Sequence, residues 1–239
     1  MTMKISVCIA TYNGEKYIKE QLLSILPQLS ANDEVVISDD SSTDNTLKII
    51  DQIQDERIKV FKNIQNVGYS KNFENSLRKA QGDIIFICDQ DDVWMSDKVN
   101  KMTDALKNAD VVVSDAEIVD DELNSVFPSH FIKHNTKQGL VINFLKTRYI
   151  GACMAFKRKV LEKALPFPKN NYLCVYDYWL TLIAESFFDV KLVNEPLMKY
   201  RRHDSNASNG GQKSTNSLYK KLSTRVYVLK ELLKRKFRS

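Results

Sequence analysis

Three carboxylates fall within four residues at Asp89-Gln90-Asp91-Asp92, directly after the apolar run 84–88. Like charges packed this tightly repel one another, and a divalent cation relieves the repulsion. Mg²⁺ is typically held by one or two carboxylates together with substrate phosphates. A cation so placed neutralises charge on a departing diphosphate. The same residues also fit a solvated turn in which an Asp caps the next helix.

A second acidic pair, Asp39-Asp40, ends another apolar run. A carboxylate there can accept a hydrogen bond from a nucleobase N–H or a ribose hydroxyl, or it can close an Asx turn leading into Thr43-Asp44. Asp177 lies in Tyr176-Asp177-Tyr178-Trp179. It fits the dipole-favoured first turn of a helix. It also fits a general base whose pKa rises through partial desolvation among aromatics. His203 follows Tyr200-Arg201-Arg202. It can complete a cation site beside arginines suited to a diphosphate, or lie exposed in a loop. His130 and His134 sit in a polar stretch and receive no role.

The elements that must position these groups are legible in the first 120 residues. Short β-branched runs at 5–10, 34–38, 58–61, 84–88 and 111–114 alternate with stretches of helical spacing. Ile18, Leu22, Ile25 and Leu29 carry that spacing, as do Leu47, Ile50 and Ile53, then Phe73, Leu77 and Ala80. Ser42, Ser70 and Ser96 precede these helices as expected N-caps. Strands alternating with helices predict βαβ units and a mostly parallel central sheet. Later, residues 140–145 and 176–187 read as helices, and 152–156 and 190–193 as strands. In open α/β sheets ligands bind at the carboxyl ends of the strands. Thr11-Tyr12-Asn13, Asp39-Asp40 and Asp89-Gln90-Asp91-Asp92 all occupy such ends, so the topology brings distant segments to one rim.

Composition narrows the class. The chain has 239 residues, 43% hydrophobic and 27% charged, enough for one sizeable α/β core. Its four cysteines form no CxxC pair, which fits buried free thiols in a reducing cytoplasm. No apolar run approaches the 18 or more residues of a bilayer-spanning helix. Residues 218–239 hold eight Lys/Arg against one acid, Glu231, within a net charge of +5. The basic excess belongs to this tail, which argues against a nucleic-acid partner. Leu218, Leu222, Val226, Leu229, Leu233 and Phe237 recur there at helical spacing, the pattern of a basic interfacial helix. Packing on its own domain or on a second subunit, giving a homodimer, fits the same pattern. Neither GxGxxG nor GxxxxGK[ST] is present, which disfavours dinucleotide oxidoreductases and P-loop NTPases.

Together these segments resemble the family 2 glycosyltransferases of the GT-A fold. The likeness runs from Val7-Cys8-Ile9-Ala10-Thr11-Tyr12-Asn13 through Val36-Ile37-Ser38-Asp39-Asp40 and Asn66-Val67-Gly68 with Lys71-Asn72. It continues through Gly82-Asp83, Asp89-Gln90-Asp91-Asp92-Val93-Trp94, Gly151, Tyr176-Asp177-Tyr178-Trp179 and Tyr200-Arg201-Arg202-His203. The Asp-Gln-Asp-Asp-Val-Trp form is most similar to bacterial rhamnosyltransferase-like members that build cell-surface polysaccharide.

The resemblance implies an inverting, metal-dependent transferase. Its donor would be a UDP- or dTDP-sugar such as dTDP-rhamnose, and its acceptor a saccharide or lipid-linked saccharide. Thr11, Tyr12, Asn13, Asp40, Lys71, Asp89, Asp91 and Gly151 would bind the nucleotide sugar. Asp91, Asp92 and His203 would hold Mg²⁺ or Mn²⁺, and Asp177 would be the catalytic base. Relatives often carry Arg where Lys71 stands, and Lys is a point charge in place of a planar fork. The implied organisation is a GT-A domain over residues 1–204, a flexible loop over 205–217 and a basic amphipathic helix over 218–239. The implied location is the cytoplasm, with peripheral contact at the inner face of an anionic membrane. A sugar-nucleotide pyrophosphorylase is the competing enzyme class, but its Gly-rich basic loop after the first strand is missing at Thr11-Tyr12-Asn13-Gly14-Glu15. A non-catalytic sugar-nucleotide binder is the third reading, disfavoured by the intact acids.

Overall fold

The computed structural model describes residues 3–203 and 217–237. The strands are β1 (Ile5–Thr11), β2 (Glu34–Asp39), β3 (Ile58–Lys62), β4 (Ile84–Cys88), β5 (Val93–Trp94), β6 (Val111–Val119), β7 (Ser125–Phe127), β8 (Met154–Lys157) and β9 (Val190–Arg201). The helices are α1 (Ile18–Ile25), α2 (Thr46–Asp51), α3 (Tyr69–Lys79), α4 (Lys98–Ala105), α5 (His130–His134), α6 (Leu140–Leu145), α7 (Arg158–Ala164), α8 (Tyr176–Phe187) and α9 (Leu218–Lys236).

β1, β2 and β4 are near-continuous apolar runs because helices cover both faces of the sheet they form. Ile18, Leu22 and Ile25 of α1, Phe73 and Leu77 of α3, and Val99 and Met102 of α4 bury their apolar stripes in this core. The strand order is β3-β2-β1-β4-β8-β6-β9-β5, with β7 pairing to β6. β3, β2, β1 and β4 are mutually parallel, as expected. Beyond β4 the sheet is mixed. β8 runs antiparallel to both β4 and β6, β9 runs parallel to β6, and β5 runs antiparallel to β9. The α/β expectation holds, and its parallel part is the first half of the chain.

This order contains a switch point. From β1 the chain steps outward to β2 and β3, then returns to place β4 on the other side of β1. The carboxyl ends of β1 and β4 diverge there, and a cleft opens between their loops. Thr11 ends one strand, and Asp89 follows the other.

Several local expectations differ. α2 starts after Asn45 and α3 after Gly68, and α4 starts after Asp97, each without a side-chain cap. Ser42 donates to Asp39, and Ser70 accepts from the Tyr176 N–H, so both serve tertiary contacts. β9 runs on to Arg201 because, past Pro196, it pairs with β5 on one side and β6 on the other. Positions 205–216 of the expected loop lie outside the described residues. Ser217 caps α9, its hydroxyl accepting from the Lys220 N–H at 3.2 Å. Among the described residues no helix is long and apolar enough to cross a membrane.

Candidate active site

A cleft of about 710 Å³ opens at the switch point. One of its walls holds Thr11, Tyr12, Asn13, Asp40, Asn66, Gly68 and Asn72. Asp89, Gln90 and Asp91 form its floor, and Gly151, Tyr176, Asp177, Tyr200 and His203 its far side. A larger groove of about 910 Å³ between residues 166–171 and α9 contains none of these groups.

The floor is an electrostatic problem. Asp89, Asp91 and Asp92 each offer a carboxylate oxygen, and the three lie within 4.8 Å of one another. Burial, then the charges of Asp91 and Asp177, push Asp89 up to about 8. Burial, then Asp91 and Asp89, push Asp92 well above the usual carboxylate range. Asp92 accepts from the Arg201 N–H at 3.0 Å through one oxygen. Its other oxygen is buried and has no hydrogen-bond partner among the described residues. Asp91 meets His203 Nε2 at 3.0 Å. A cluster of hard, partly desolvated oxygens with an imidazole alongside fits a divalent cation. Asp92 is buried and does not line the cleft, although it shares the cluster.

The remaining site residues hold the walls together. Asp40 is buried and accepts three hydrogen bonds, from Asn63 Nδ2 at 2.9 Å, the Val67 N–H at 2.8 Å and the Gly68 N–H at 2.9 Å. It therefore fixes the segment 63–68 that borders the cleft. Thr11 is also buried, and its hydroxyl donates to Gln90 Oε1 at 2.6 Å. Asn13 sits in the left-handed region (φ +47°), which Asn tolerates, and its side chain accepts from the Thr43 N–H at 2.9 Å. Tyr12 is 45% exposed and offers its ring to the cleft.

Asp177 lines the cleft from the first turn of α8 and is half-buried. Burial pushes it up to about 6, against the opposing hydrogen bond from the Tyr178 N–H. The neighbouring Tyr176 stacks on Phe73 with ring centroids 4.1 Å apart, and its hydroxyl lies 3.5 Å from Asp89 Oδ1. A Cβ on Gly151 would come within 2.5 Å of the Tyr176 hydroxyl, so the glycine makes room for that ring.

Lys71, like Asp92, is an expected site residue outside the cleft lining. Its ammonium pairs with Glu74 at 2.9 Å, three residues along α3, and it does not line the cleft, whereas Asn72 does. Four other residues shape the site in ways the sequence reading does not state. Gln90 accepts from Thr11 and the Tyr12 N–H and donates to the Tyr12 carbonyl, so it fastens the β1 loop to the acid loop. A Cβ on Gly14 would fall 2.4 Å from the same amide. Arg201 donates to the carbonyls of Asp91 and Asp121 and pairs with Glu20. Lys98 is fully buried, donating to the Ala152 carbonyl at 3.0 Å, and Asp89 and Asp92 lie within its electrostatic reach. His130 lines the cleft, buried, with Nδ1 unpartnered among the described residues. Gln90 and Arg201 stand inside the quoted motifs, and a lysine on the apolar face of α4 is a further sequence signal.

Asp40→Ala is expected to weaken nucleotide binding and also to destabilise the fold. It removes the acceptor of the Val67 N–H and one of two acceptors of both the Gly68 N–H and Asn63 Nδ2, which also reach Asn66 and Asn72, a loss of about 1–3 kcal/mol. Chemical denaturation checks the stability, and calorimetry with nucleoside diphosphates checks the binding. A variant as stable as wild type would remove the carboxylate from its role in this wall.

Residues 6–165 match the sequence profile described as glycosyl transferase family 2. The chain is 30% identical over 230 residues to the dTDP-rhamnosyl transferase RfbG of Shigella flexneri, an overlap covering 90% of this chain and 78% of that one. It is 28% identical over 213 residues to an uncharacterized glycosyltransferase of Nostoc, covering 85% of this chain and 66%, just under two thirds, of that relative. In fold it is similar to the S. aureus TarS fragment 1–349 crystallised with UDP-GlcNAc, at a TM-score of 0.74 and 21% identity, over 98% of this chain and 73% of that one. With the profile matched over residues 6–165, the chain belongs to glycosyl transferase family 2, with the GT-A fold.

Proposed function

We propose that this chain is a metal-dependent, inverting transferase. It moves a sugar from a nucleotide-diphosphate donor, UDP- or dTDP-linked, to a hydroxyl of a saccharide or lipid-linked saccharide in cell-surface polysaccharide synthesis. The observation that carries the reading is the meeting of the acid cluster and Asp177 in one cleft at the switch point. Similarity to RfbG supports dTDP-rhamnose as the donor.

The exposed Tyr12 ring offers a flat apolar face to a nucleobase, beside the segment that Asp40 fixes. Asp89, Asp91 and Asp92 would hold Mg²⁺ or Mn²⁺, with His203 beside Asp91. When bound, the cation neutralises charge on the departing diphosphate. Asp177 supplies the base. The acceptor oxygen forms its bond to the anomeric carbon while the bond from that carbon to the diphosphate oxygen breaks. The hydroxyl proton passes to Asp177, and the electron pair leaves with the diphosphate. Attack from the face opposite the leaving group inverts the anomeric centre. At about 6, Asp177 is ionised at neutral pH yet more basic than an exposed carboxylate, which suits proton transfer.

Two outcomes test this. EDTA is expected to abolish both transfer and the slow hydrolysis of donor, Mn²⁺ or Mg²⁺ to restore them, and Asp91→Asn to mimic chelation; full activity in EDTA would refute metal dependence. Asp177→Asn is expected to lower kcat by about 10²–10⁴-fold with little change in donor affinity. The base acts when ionised, so wild-type kcat should fall as pH drops through about 6, and the variant should lose that limb. The folded-state value lies above the ordinary 3.8, so ionisation at higher pH costs stability. Asp177→Asn should therefore melt no lower than wild type at pH 7. Near-normal kcat, or a product of retained anomeric configuration by NMR, would sink the assignment.

A further inference from the structure

α9 turns an unexpected face to the body of the protein. Its buried positions are Val228, Leu232 and Arg235. Arg235 donates to the Pro166 carbonyl, its guanidinium 5.6 Å from the Trp179 ring, and Arg225 donates to the Leu145 carbonyl. The apolar row Leu218, Leu222, Val226, Leu229, Leu233 and Phe237 is left outside, each residue at least 48% exposed. Helical periodicity sets these six on one stripe, with exposed Lys221 and Lys236 along one border and exposed Lys230 along the other. Glu231 is the sole acid of the helix, and it pairs with Lys234.

A second exposed apolar set adjoins the first. α6 presents Leu140, Val141, Ile142 and Leu145 to solvent, Val141 at 71% and Leu145 at 62%, and meets α9 at the bond between Arg225 and Leu145. Contiguous apolar surface of this kind, rimmed by polar groups, marks a protein or membrane contact. The wall that follows α6, including Thr147, Arg148 and Gly151, lines the cleft. The exposed face thus leads directly to the far side of the candidate active site.

We infer that the outer faces of α9 and α6 together form a docking surface for an anionic lipid bilayer. The apolar row enters the boundary between headgroups and acyl chains, and the flanking lysines meet acidic headgroups. Charge selects this occupant. A second copy of the same basic stripe would bring lysines against lysines, whereas an anionic leaflet complements them. The surface would hold the cleft beside the bilayer, within reach of an acceptor carried on a membrane lipid.

Flotation of the full chain with vesicles tests this without any catalysis, so its failure and the failure of the transferase reading are separable. Vesicles of phosphatidylglycerol and phosphatidylcholine in equal parts are expected to carry the protein upward, and pure phosphatidylcholine to carry far less. Lys221→Gln with Lys230→Gln should reduce partitioning about 25-fold, roughly fivefold per lysine. Leu222→Asp with Leu229→Asp should abolish it while leaving the melting temperature unchanged, because both side chains are already exposed. The proposal is overturned if wild type ignores both vesicle types. It is equally overturned if the Asp variant floats as wild type does, or if light scattering finds a dimer that the Asp variant dissociates while vesicles capture nothing.

Discussion

Three carboxylates held within 4.8 Å of one another, partly out of water, are the constraint on which the molecule turns. At that spacing like charges cannot all ionise without compensation, and the raised affinities of Asp89 and Asp92 for protons express the conflict. The fold answers it with fixed positive charge and dipoles. Lys98 is buried beside the cluster, and the Arg201 N–H and guanidinium reach Asp92 and the Asp91 carbonyl from the end of β9. These do not cancel the charge, and the remaining attraction for a cation is what the site can use.

The same contacts join the two halves of the sheet. Arg201 lies 109 residues from Asp92 in sequence, and their bond ties the mixed half of the sheet to the parallel half. Gln90 ties the acid loop to the β1 loop, Asp40 ties the end of β2 to the segment 63–68, and Ser70 ties α3 to α8. These bonds join segments that line or border the cleft. The walls are therefore preorganised while polar groups such as His203, Asp177 and the Tyr12 ring still face the open space. Asp177 shares this logic: burial that raises its proton affinity also makes it a better base.

The sequence announces this arrangement unevenly. β1, β2, β4 and the acids at their ends are legible because fully buried strands read as unbroken β-branched runs and polar residues mark where they stop. β8 is legible as the strand read at 152–156, but β5 has only two residues, and nothing local shows that either strand runs antiparallel to its neighbours. Asp40 is visible as a strand-end carboxylate, but its three donors lie 23 to 28 residues away, and no local pattern shows that it holds a loop. Lys71 shows the limit of a motif read without its neighbours. In this structure Glu74, one turn along α3, pairs with its ammonium, a contact the motif does not announce. The six apolar positions of α9 are plain in sequence, yet their outward orientation depends on Val228, Leu232 and Arg235 filling the contact with α8 and the segment near Pro166.

The acid cluster as a cation site is the central claim, and electron paramagnetic resonance of Mn²⁺ tests it most directly. Free Mn²⁺ gives a sharp signal that broadens away when the ion is bound. With a nucleoside diphosphate present, wild-type protein is expected to remove the signal beyond what the nucleotide alone removes, whereas Asp91→Asn, folded to the same degree by circular dichroism, leaves it in place. Equal free Mn²⁺ in the presence of wild type and Asp91→Asn would contradict the account.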